Sequence, residues 1–345
     1  MNDSLSPELI QAQQNERQAL RVNVTKLGIL FILYDLIFTY FSKKVFVYLY
    51  YAVSEKSLNF DTKTVQKFLD SNLDTINSSM FKMSFSCFVI VLSLIMLLIT
   101  ARIMNIRVLN TIKFSKKNAK LGLIAFPIGL VINTALTAVT TIITKLFSTG
   151  GTTIPTADFS VDSPSAKAII FTAMYLVIVA PIAEEIVFRG LILKVLSPYG
   201  VKNAILLSAI LFGLMHKNIP QAIGAFAIGI VFAVVDTKAN SILPSIIMHS
   251  LNNMLPCLMD INSSLKSPAV NTIYNLLVNI IVFAGIAIIF IKGRKLFSLK
   301  EETASEKSAL SDSQKRITVF LNPVIVIYLA ILIFYMISSI IIANQ

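Results

Sequence analysis

The sequence predicts an all-α protein, a polytopic transmembrane helical bundle of about eight or nine spans. Of its 345 residues, 55% are hydrophobic and 14% are charged, and the mean hydropathy is +0.76. A helix that crosses a bilayer needs roughly 20 mostly apolar residues. Stretches near that length without any charge occur at residues 83–101, 121–144, 267–291 and 317–345. A soluble domain would rarely be so apolar, so we expect the chain to lie in a membrane.

The predicted spans follow one another along most of the chain. Short spans are acceptable where neighbouring helices shield them from lipid. The nine spans are residues 24–40 (continuing through 45–53), 83–101, 121–145, 168–196, 203–216, 220–235, 241–256, 270–291 and 317–343. The chain therefore divides into a cytoplasmic N-terminal segment (1–23), N-terminal spans (24–147), a helical core (167–256) and C-terminal spans (257–345).

Two segments between the spans have a different pattern. Residues 54–79 predict an amphipathic helix on the outer membrane surface. Their apolar side chains recur at helical spacing: Val65, Phe68, Leu69, Leu73 and Ile76. Residues 292–316 are rich in Ser, Glu and Lys, which predicts a flexible cytoplasmic loop.

The net charge of +12 comes from basic residues that cluster between spans. Residues 102–120 carry six basic residues and no acid, and residues 292–316 carry seven basic residues. Cytoplasmic loops carry such an excess, so a nucleic-acid partner is not expected. Residues 147–166 contain Asp158 and Asp162 but no base, which predicts an external segment. Nine spans with a cytoplasmic N-terminus satisfy all three assignments and predict a multi-pass protein of the cell membrane.

The N-terminus and the cysteines exclude some other classes. The polar start lacks the basic region and short apolar core of a cleavable signal peptide. Cys87 and Cys257 form no CxxC pair, so neither a disulfide framework nor a thiolate metal site is expected.

Three predicted spans carry ionisable side chains, which are costly in a bilayer and by default mark a functional site. Glu185 and Arg189 are four residues apart, so they can pair and partly offset the cost of burial. Glu184 points about 100° away around the helix, towards another helix. The other two spans contribute Phe212 with His216 and His249 with Asn253, again four residues apart.

The depths of these residues agree. Glu184 and His216 each lie 13 residues from the nearest predicted inner end of their span, and His249 lies nine residues from its inner end. At a rise of 1.5 Å per residue these depths are about 20, 20 and 14 Å, near the middle of a core about 30 Å thick. We therefore expect Glu184, His216, His249 and Asn253 to face one cavity.

This set of side chains suits water activation. A carboxylate shielded from water can act as a general base, and an imidazole can help to hold or deprotonate the water. A second imidazole and an amide N–H can stabilise the oxyanion. The sequence has no G-x-S-x-G, and Cys257 lies beyond a span end, so a covalent nucleophile is not favoured.

The pattern E-E-x-x-x-R, then F-x-x-x-H, then H-x-x-x-N resembles the CPBP family of intramembrane endopeptidases, also called the CAAX-protease or Abi family. The matching residues are Glu184, Glu185, Arg189, Phe212, His216, His249 and Asn253. The resemblance covers about residues 168–256. It implies that Glu184 and His216 activate water and that His249 and Asn253 form the oxyanion site. It also implies that Glu185 and Arg189 support the helix arrangement.

The resemblance also implies the partners. The family name refers to cleavage after a prenylated cysteine, but here another peptide or a membrane protein is the expected substrate, in contact with the lipid bilayer. Maturation of a secreted peptide and immunity against a bacteriocin are the roles that the family suggests.

A zinc ion is the alternative to a metal-free site. Glu184, His216 and His249 could supply three ligands, the number that a catalytic zinc site keeps. Zinc sites normally include carboxylates or carbonyls that orient each histidine, and Glu185 is expected to be occupied by Arg189. We therefore prefer a mechanism without a cofactor.

Other assignments stay open. Glu184 and Glu185 could form an ion-paired kink after Pro181, and Asn252 could replace Asn253 if its helix is distorted. Asp35 is expected to pair with a neighbouring helix or to face a cavity. A non-catalytic immunity or transport protein is the alternative from another class, although transporters more often show broken helices in paired repeats.

Overall fold

The computed structural model describes residues 6–155, 166–265, 267–299 and 308–344, and all regular structure in these ranges is helical. Residues 166–196 form one continuous helix, α6, which contains two π-helical turns. The helices are α1 (Pro7–Glu55), α2 (Thr62–Ser71), α3 (Leu73–Asn77), α4 (Ser79–Ile103), α5 (Lys116–Thr149), α6 (166–196), α7 (Val201–Leu214), α8 (Ile219–Ala239), α9 (Leu243–Leu265), α10 (Pro268–Phe297), α11 (Asp312–Phe320) and α12 (Pro323–Ala343). The predicted all-α helical bundle is confirmed.

Hydrogen bonds between loops define two opposite ends of the bundle. One end, which we call the basic end, brings together the first half of α1 around Asn23, the loop after α4, the α6–α7 and α8–α9 turns and the end of α10. The bonds there are Asn23 Nδ2 to Tyr199 Oη (2.9 Å), the Ile242 N–H to the Thr111 carbonyl (3.0 Å) and Lys238 Nζ to the Lys295 carbonyl. At the opposite end, Thr153 after α5 donates to Asn344 after α12. The predicted spans therefore alternate in direction.

Six helices in the described ranges are long and apolar enough to cross a membrane: Pro7–Glu55, Met80–Ile103, Lys116–Thr149, Ile219–Ala239, Pro268–Phe297 and Pro323–Ala343. The three remaining predicted spans correspond to α6, α7 and α9, and they carry the charged and polar residues of the predicted site. Helix α7 has only 14 residues. These three helices are packed among the others, where a short or polar helix is shielded from lipid.

Several helices begin or end at other residues than the predicted spans do. Within the polar segment 1–23, residues 7–23 are helical, because α1 begins at Pro7 after the Ser6 N-cap and continues to Glu55. In the predicted loop 292–316, α10 extends to Phe297 and α11 begins at Asp312, while residues 300–307 lie outside the described ranges. Asn322 caps a new helix at Pro323, so the predicted span 317–343 is interrupted there.

The amphipathic segment 54–79 forms two short helices, α2 and α3, rather than one. Val65 and Phe68 are buried against Val47 and Tyr51 of α1. The apolar face therefore packs on protein, whereas Leu73 is exposed. Asp158 and Asp162, which were used to predict an external segment, lie outside the described ranges.

Helices α5 to α9 surround the predicted site. The Ser208 hydroxyl of α7 donates to the Phe188 carbonyl of α6 at 2.9 Å. A side chain at Gly122 of α5 would meet the backbone of Pro244 in α9, and one at Gly213 of α7 would meet the backbone of Ala222 in α8. Glycine at these positions lets the helices approach closely, which holds α5 to α9 in fixed relative positions around the site.

Candidate active site

Glu184 and Glu185 lie in a short α-helical stretch of α6 between two π-helical turns. The stretch is Ala180–Glu185, and the turns are Tyr175–Val179 before it and Ile186–Leu193 after it. Pro181 has no N–H to donate to the preceding turn, which favours a local departure from α-helical bonding. Such π-helical turns frequently occur at functional sites, because they change the direction in which side chains point.

Glu185 is completely buried and contacts two cationic or potentially cationic groups. Its Oε1 lies 3.0 Å from Arg189 Nη1 and 2.8 Å from His249 Nδ1. The Glu185–Arg189 pair that the spacing predicts is therefore present. Arg189 also donates from Nη2 to the Gly229 carbonyl at 3.1 Å, and its guanidinium lies 4.3 Å from the centre of the Phe212 ring. These contacts offset part of the cost of burying the charges.

Arg189 occupies Glu185 as expected, but the same carboxylate oxygen also contacts His249 Nδ1. A carboxylate that accepts the Nδ1–H of an imidazole fixes its tautomer and orientation and raises the basicity of its other nitrogen. Only the three-dimensional approach of α9 to α6 reveals this contact, since Glu185 and His249 are 64 residues apart in sequence.

His249 directs its other nitrogen towards Glu184. His249 Nε2 lies 3.8 Å from Glu184 Oε2, and that buried oxygen accepts no hydrogen bond from any described residue. The separation is too long for a direct hydrogen bond, but it suits two groups that share one water molecule. Glu184 and His249 are thus brought together from α6 and α9.

His216 lies at the end of α7, and its Nδ1 is 2.9 Å from the Phe212 carbonyl. A carbonyl can only accept, so Nδ1 carries the proton and Nε2 is left with its lone pair in the neutral ring. The Phe212 ring stands edge-on to both imidazoles, with centroid distances of 5.4 Å to His216 and 5.7 Å to His249. Phe212 therefore separates and orients the two histidines.

The two asparagines of α9 have different surroundings. Asn253 donates from Nδ2 to the Leu176 carbonyl in the first π-helical turn of α6 at 3.0 Å, which leaves one amide hydrogen for another acceptor. Asn252 also lines the site, and its buried Oδ1 accepts no hydrogen bond from the described residues. The alternative that Asn252 takes part is therefore open on geometric grounds.

Two separate cavities border these residues. A polar cavity of about 250 Å³ is lined by His216, His249, Asn252 and Asn253, together with Asn133 of α5 and Gln221 of α8. An apolar cavity of about 190 Å³ lies on the other side, between α1, α4, α6 and α12, and Glu184 is its charged group. We call them the polar cavity and the apolar cavity.

Some residues of the site were not singled out from the sequence. Asn133 and Gln221 line the polar cavity, but single amides in long apolar helices give no spacing signal. Asp35 does pair with a neighbouring element: its Oδ1 lies 2.8 Å from Nζ of Lys217, directly after His216. Lys217 has a positive φ of 56°, a conformation uncommon for a residue with a side chain.

The histidines meet one requirement of a zinc site but not another. Both histidines have the Nδ1 partners that usually orient metal ligands, a carboxylate for His249 and a carbonyl for His216. Within the described ranges, however, no three His, Cys, Asp or Glu side chains form a group that could hold a metal ion. Glu184, His216 and His249 therefore do not converge on one ion in this arrangement.

Comparison with known proteins agrees with the three motifs. A helical membrane protein with a buried acid–histidine site is the class that the fold and the site define. The family model described as type II CAAX prenyl endopeptidase Rce1-like matches residues 166–255, about a quarter of the chain. That segment runs from the start of α6 into α9, and its match confirms the resemblance to the CAAX-protease family that the motifs predict. No curated protein and no solved structure matched the chain.

Proposed function

We propose that the protein is an intramembrane endopeptidase that hydrolyses a peptide bond with water activated by Glu184. The observation that carries this proposal is the 3.8 Å separation of Glu184 Oε2 and His249 Nε2, together with the lack of a hydrogen-bond partner for the buried Glu184 Oε2 among the described residues. Glu184 lines the apolar cavity and His249 lines the polar cavity, so each group borders a space inside the helical bundle.

In this mechanism one water molecule is held between Glu184 and His249. Glu184 takes a proton as the water oxygen bonds to the peptide carbonyl carbon. The carbon–nitrogen bond then breaks, and Glu184 returns the proton to the leaving amine. Glu185 keeps the Nδ1–H of His249 directed towards itself and so keeps Nε2 directed at the water.

The attack of water leaves a negative charge on the carbonyl oxygen of the peptide, and this oxyanion needs N–H donors nearby. The second amide hydrogen of Asn253 and the amide of Asn252 are the candidates from α9, and His216 can donate from Nε2 when it is protonated. The resemblance implied that His216 acts with Glu184 and His249 with Asn253. The 3.8 Å contact favours His249 as the histidine that shares the water with Glu184.

The proposed setting is the cell membrane, with a cytoplasmic N-terminus. The excess of Lys and Arg at the basic end supports this orientation. The substrate class is a peptide or membrane protein that reaches the site within the bilayer.

A zinc-dependent form of the same protease is the second candidate. The Nδ1 contacts of both histidines favour it, because they leave both Nε2 atoms available as ligands. Glu184, His216 and His249 would hold the ion only if their side chains moved together, because in this arrangement they do not form such a group. The ion would then supply Lewis-acid activation of water.

The test compares Glu184→Gln with Glu55→Gln, a matched change at an exposed acid of α1. Both purified variants are incubated in proteoliposomes with a library of internally quenched peptides. Glu184→Gln removes the base but keeps the shape of the side chain, so cleavage should be lost while the protein still accumulates in the membrane. Full cleavage by Glu184→Gln would overturn the assignment.

The same experiment separates the protease from a non-catalytic membrane protein. If the unchanged protein and Glu55→Gln cleave no peptide, while Glu184→Gln retains the cellular function, then the polar cluster has a structural or binding role.

A further inference from the structure

A third cavity lies at the basic end of the bundle, and we call it the basic cavity. Its walls come from the loop after α4, the end of α6 with the α6–α7 turn, and the α8–α9 turn. Its volume is about 720 Å³, within the range of roughly 300–1,000 Å³ that small-ligand sites occupy. Glu184, His216 and His249 do not line it, so the basic cavity is separate from the candidate catalytic groups.

Three basic side chains from two separate segments line the basic cavity. Arg107 and Lys113 belong to the loop after α4, and Lys194 belongs to the end of α6. All three are exposed, and none of them forms an ion pair within the described ranges. Like charges around one space repel one another, whereas an anion placed among them is attracted by all three.

Packing and hydrogen bonds hold the loop that carries two of these cations. Val108 is buried in the main apolar core. The Ile242 N–H donates to the Thr111 carbonyl at 3.0 Å, and the Lys113 N–H donates to Ser241 Oγ at 3.0 Å. The loop is thereby fixed on the α8–α9 turn, so less conformational entropy is lost when its side chains bind a ligand.

The buried part of the lining is polar as well. Arg189 and Asp236 are 2% and 3% exposed, and both line the basic cavity. Arg189 Nε and Asp236 Oδ2 have no hydrogen-bond partner among the described residues. Arg189 is paired with Glu185, so three unpaired cations face one unpaired carboxylate and the lining is positive. Buried polar groups disfavour an apolar occupant, so the lining favours a hydrophilic anion.

A general excess of basic residues at a cytoplasmic end does not require that they surround a cavity. Arg107 and Lys113 line the basic cavity, whereas Arg102, Lys116 and Lys117 of the same segment are exposed and lie outside its lining. The segment 102–120 thus provides a matched set of basic residues that carry the same charge at the same end of the bundle.

We propose that the basic cavity binds a phosphate ester, whose anionic oxygens accept hydrogen bonds from Arg107, Lys113 and Lys194. Hydrogen bonds from Arg and Lys to phosphate are strengthened by charge, and basic pockets between transmembrane helices bind the headgroups of anionic phospholipids. The phosphate belongs either to such a headgroup or to a soluble ester. The site does not depend on the proposed peptidase function, because its ligand is held by other side chains.

Thermal unfolding of the full-length protein in micelles of a neutral detergent with phosphatidylcholine tests the proposal. Phosphatidylglycerol and soluble glycerol phosphate are titrated separately, and a ligand of the folded protein raises the unfolding midpoint as its concentration increases. The cavity variant, Arg107→Gln/Lys113→Gln/Lys194→Gln, should bind at least about tenfold more weakly, because it loses charged hydrogen-bond donors. The control variant, Arg102→Gln/Lys116→Gln/Lys117→Gln, removes the same charge and should bind as the unchanged protein does.

A midpoint shift with phosphatidylglycerol alone would identify a lipid headgroup, and a shift with glycerol phosphate would identify a soluble ester. Either result supports the proposal when the cavity variant loses the shift and the control variant keeps it. No shift with either ligand in the unchanged protein, or equal losses in the two variants, would overturn the proposal. If the cavity variant does not unfold cooperatively, its three single substitutions are compared with Lys116→Gln by the same criteria.

Discussion

Glu185 is the side chain on which the geometry of its charged neighbours depends. It is fully buried, and a single oxygen contacts both Arg189 and His249. The ion pair of Glu185 with Arg189 could be predicted from their spacing of four residues. The contact of Glu185 with His249 could not be predicted, because it depends on how two distant helices pack and on the π-helical turns that flank the two glutamates.

Replacing Arg189 should destabilise the protein strongly. Arg189→Met leaves the Glu185 charge buried without its cation, which typically costs about 3–5 kcal/mol. The double variant Glu185→Gln/Arg189→Met removes both charges and should recover much of that loss. Thermal unfolding of the three proteins in detergent measures the difference, and an Arg189→Met protein as stable as the unchanged one would contradict the role of the pair.

Metal dependence concerns Glu184, His216 and His249. The proposed mechanism predicts that the purified active protein contains no stoichiometric zinc by mass spectrometry and keeps its peptidase activity after chelation. Stoichiometric zinc, with activity lost on chelation and restored by adding zinc, would instead make Glu184, His216 and His249 ligands.

At the scale of elements, α8 approaches the charged centre through a glycine. A Cβ at Gly229 would lie 3.1 Å from Phe212 Cδ1 and 3.2 Å from Arg189 Nη2, whereas a Cβ at Gly224 would have its nearest neighbour at 3.7 Å. The first contact is tight and the second is ordinary van der Waals contact. The two glycines lie on the same helix, so they form a matched pair for substitution.

Gly229→Ala should lower the free energy of unfolding by about 1–3 kcal/mol, because overpacking displaces Arg189 or Phe212. Gly224→Ala should be neutral or stabilising by up to about 1 kcal/mol, since alanine favours the helix more than glycine does. Unfolding midpoints of the two variants test this, and equal effects would show that α8 can move away from α6 without cost.

The boundaries of elements were less predictable than their existence. The break at Asn322 and Pro323 has a clear local signal, an N-cap followed by proline. The long uninterrupted apolar stretch around it hid that signal. The start of α1 was missed for a different reason: a polar helix outside the bilayer has no hydropathy signal, and it is held by packing and by bonds such as Glu16 to the Ala309 N–H at 2.8 Å.

At the scale of the whole molecule, the matched segment is not self-sufficient. Helix α5 supplies one wall of the polar cavity, and α1, α4 and α12 surround the apolar cavity at Glu184. Asp35 of α1 and Tyr335 of α12 both contact Lys217 beside His216. The N-terminal and C-terminal helices therefore help to position a loop of the central four-helix segment.

Asp35→Ala should lower both stability and cleavage. The free energy of unfolding should fall by about 1–2 kcal/mol, at the low end for a hydrogen bond to a charged group, because the Lys217 side chain is 36% exposed. Asp70→Ala, at an exposed acid of α2, is the control and should change neither property. Unaltered unfolding and peptide cleavage in Asp35→Ala would show that the pair does not hold the His216 loop.

The Nδ1 contacts of the two imidazoles make the protein its own spectroscopic reporter. His216 and His249 are the only histidines in the chain, so a sample grown with ¹⁵N-labelled histidine would contain signals from the candidate site and nothing else. In the neutral rings each Nδ1 should give the resonance of a protonated nitrogen and each Nε2 that of an unprotonated one. Addition of zinc or of a peptide could then be followed at the reacting nitrogens directly, without assigning the rest of a 345-residue membrane protein.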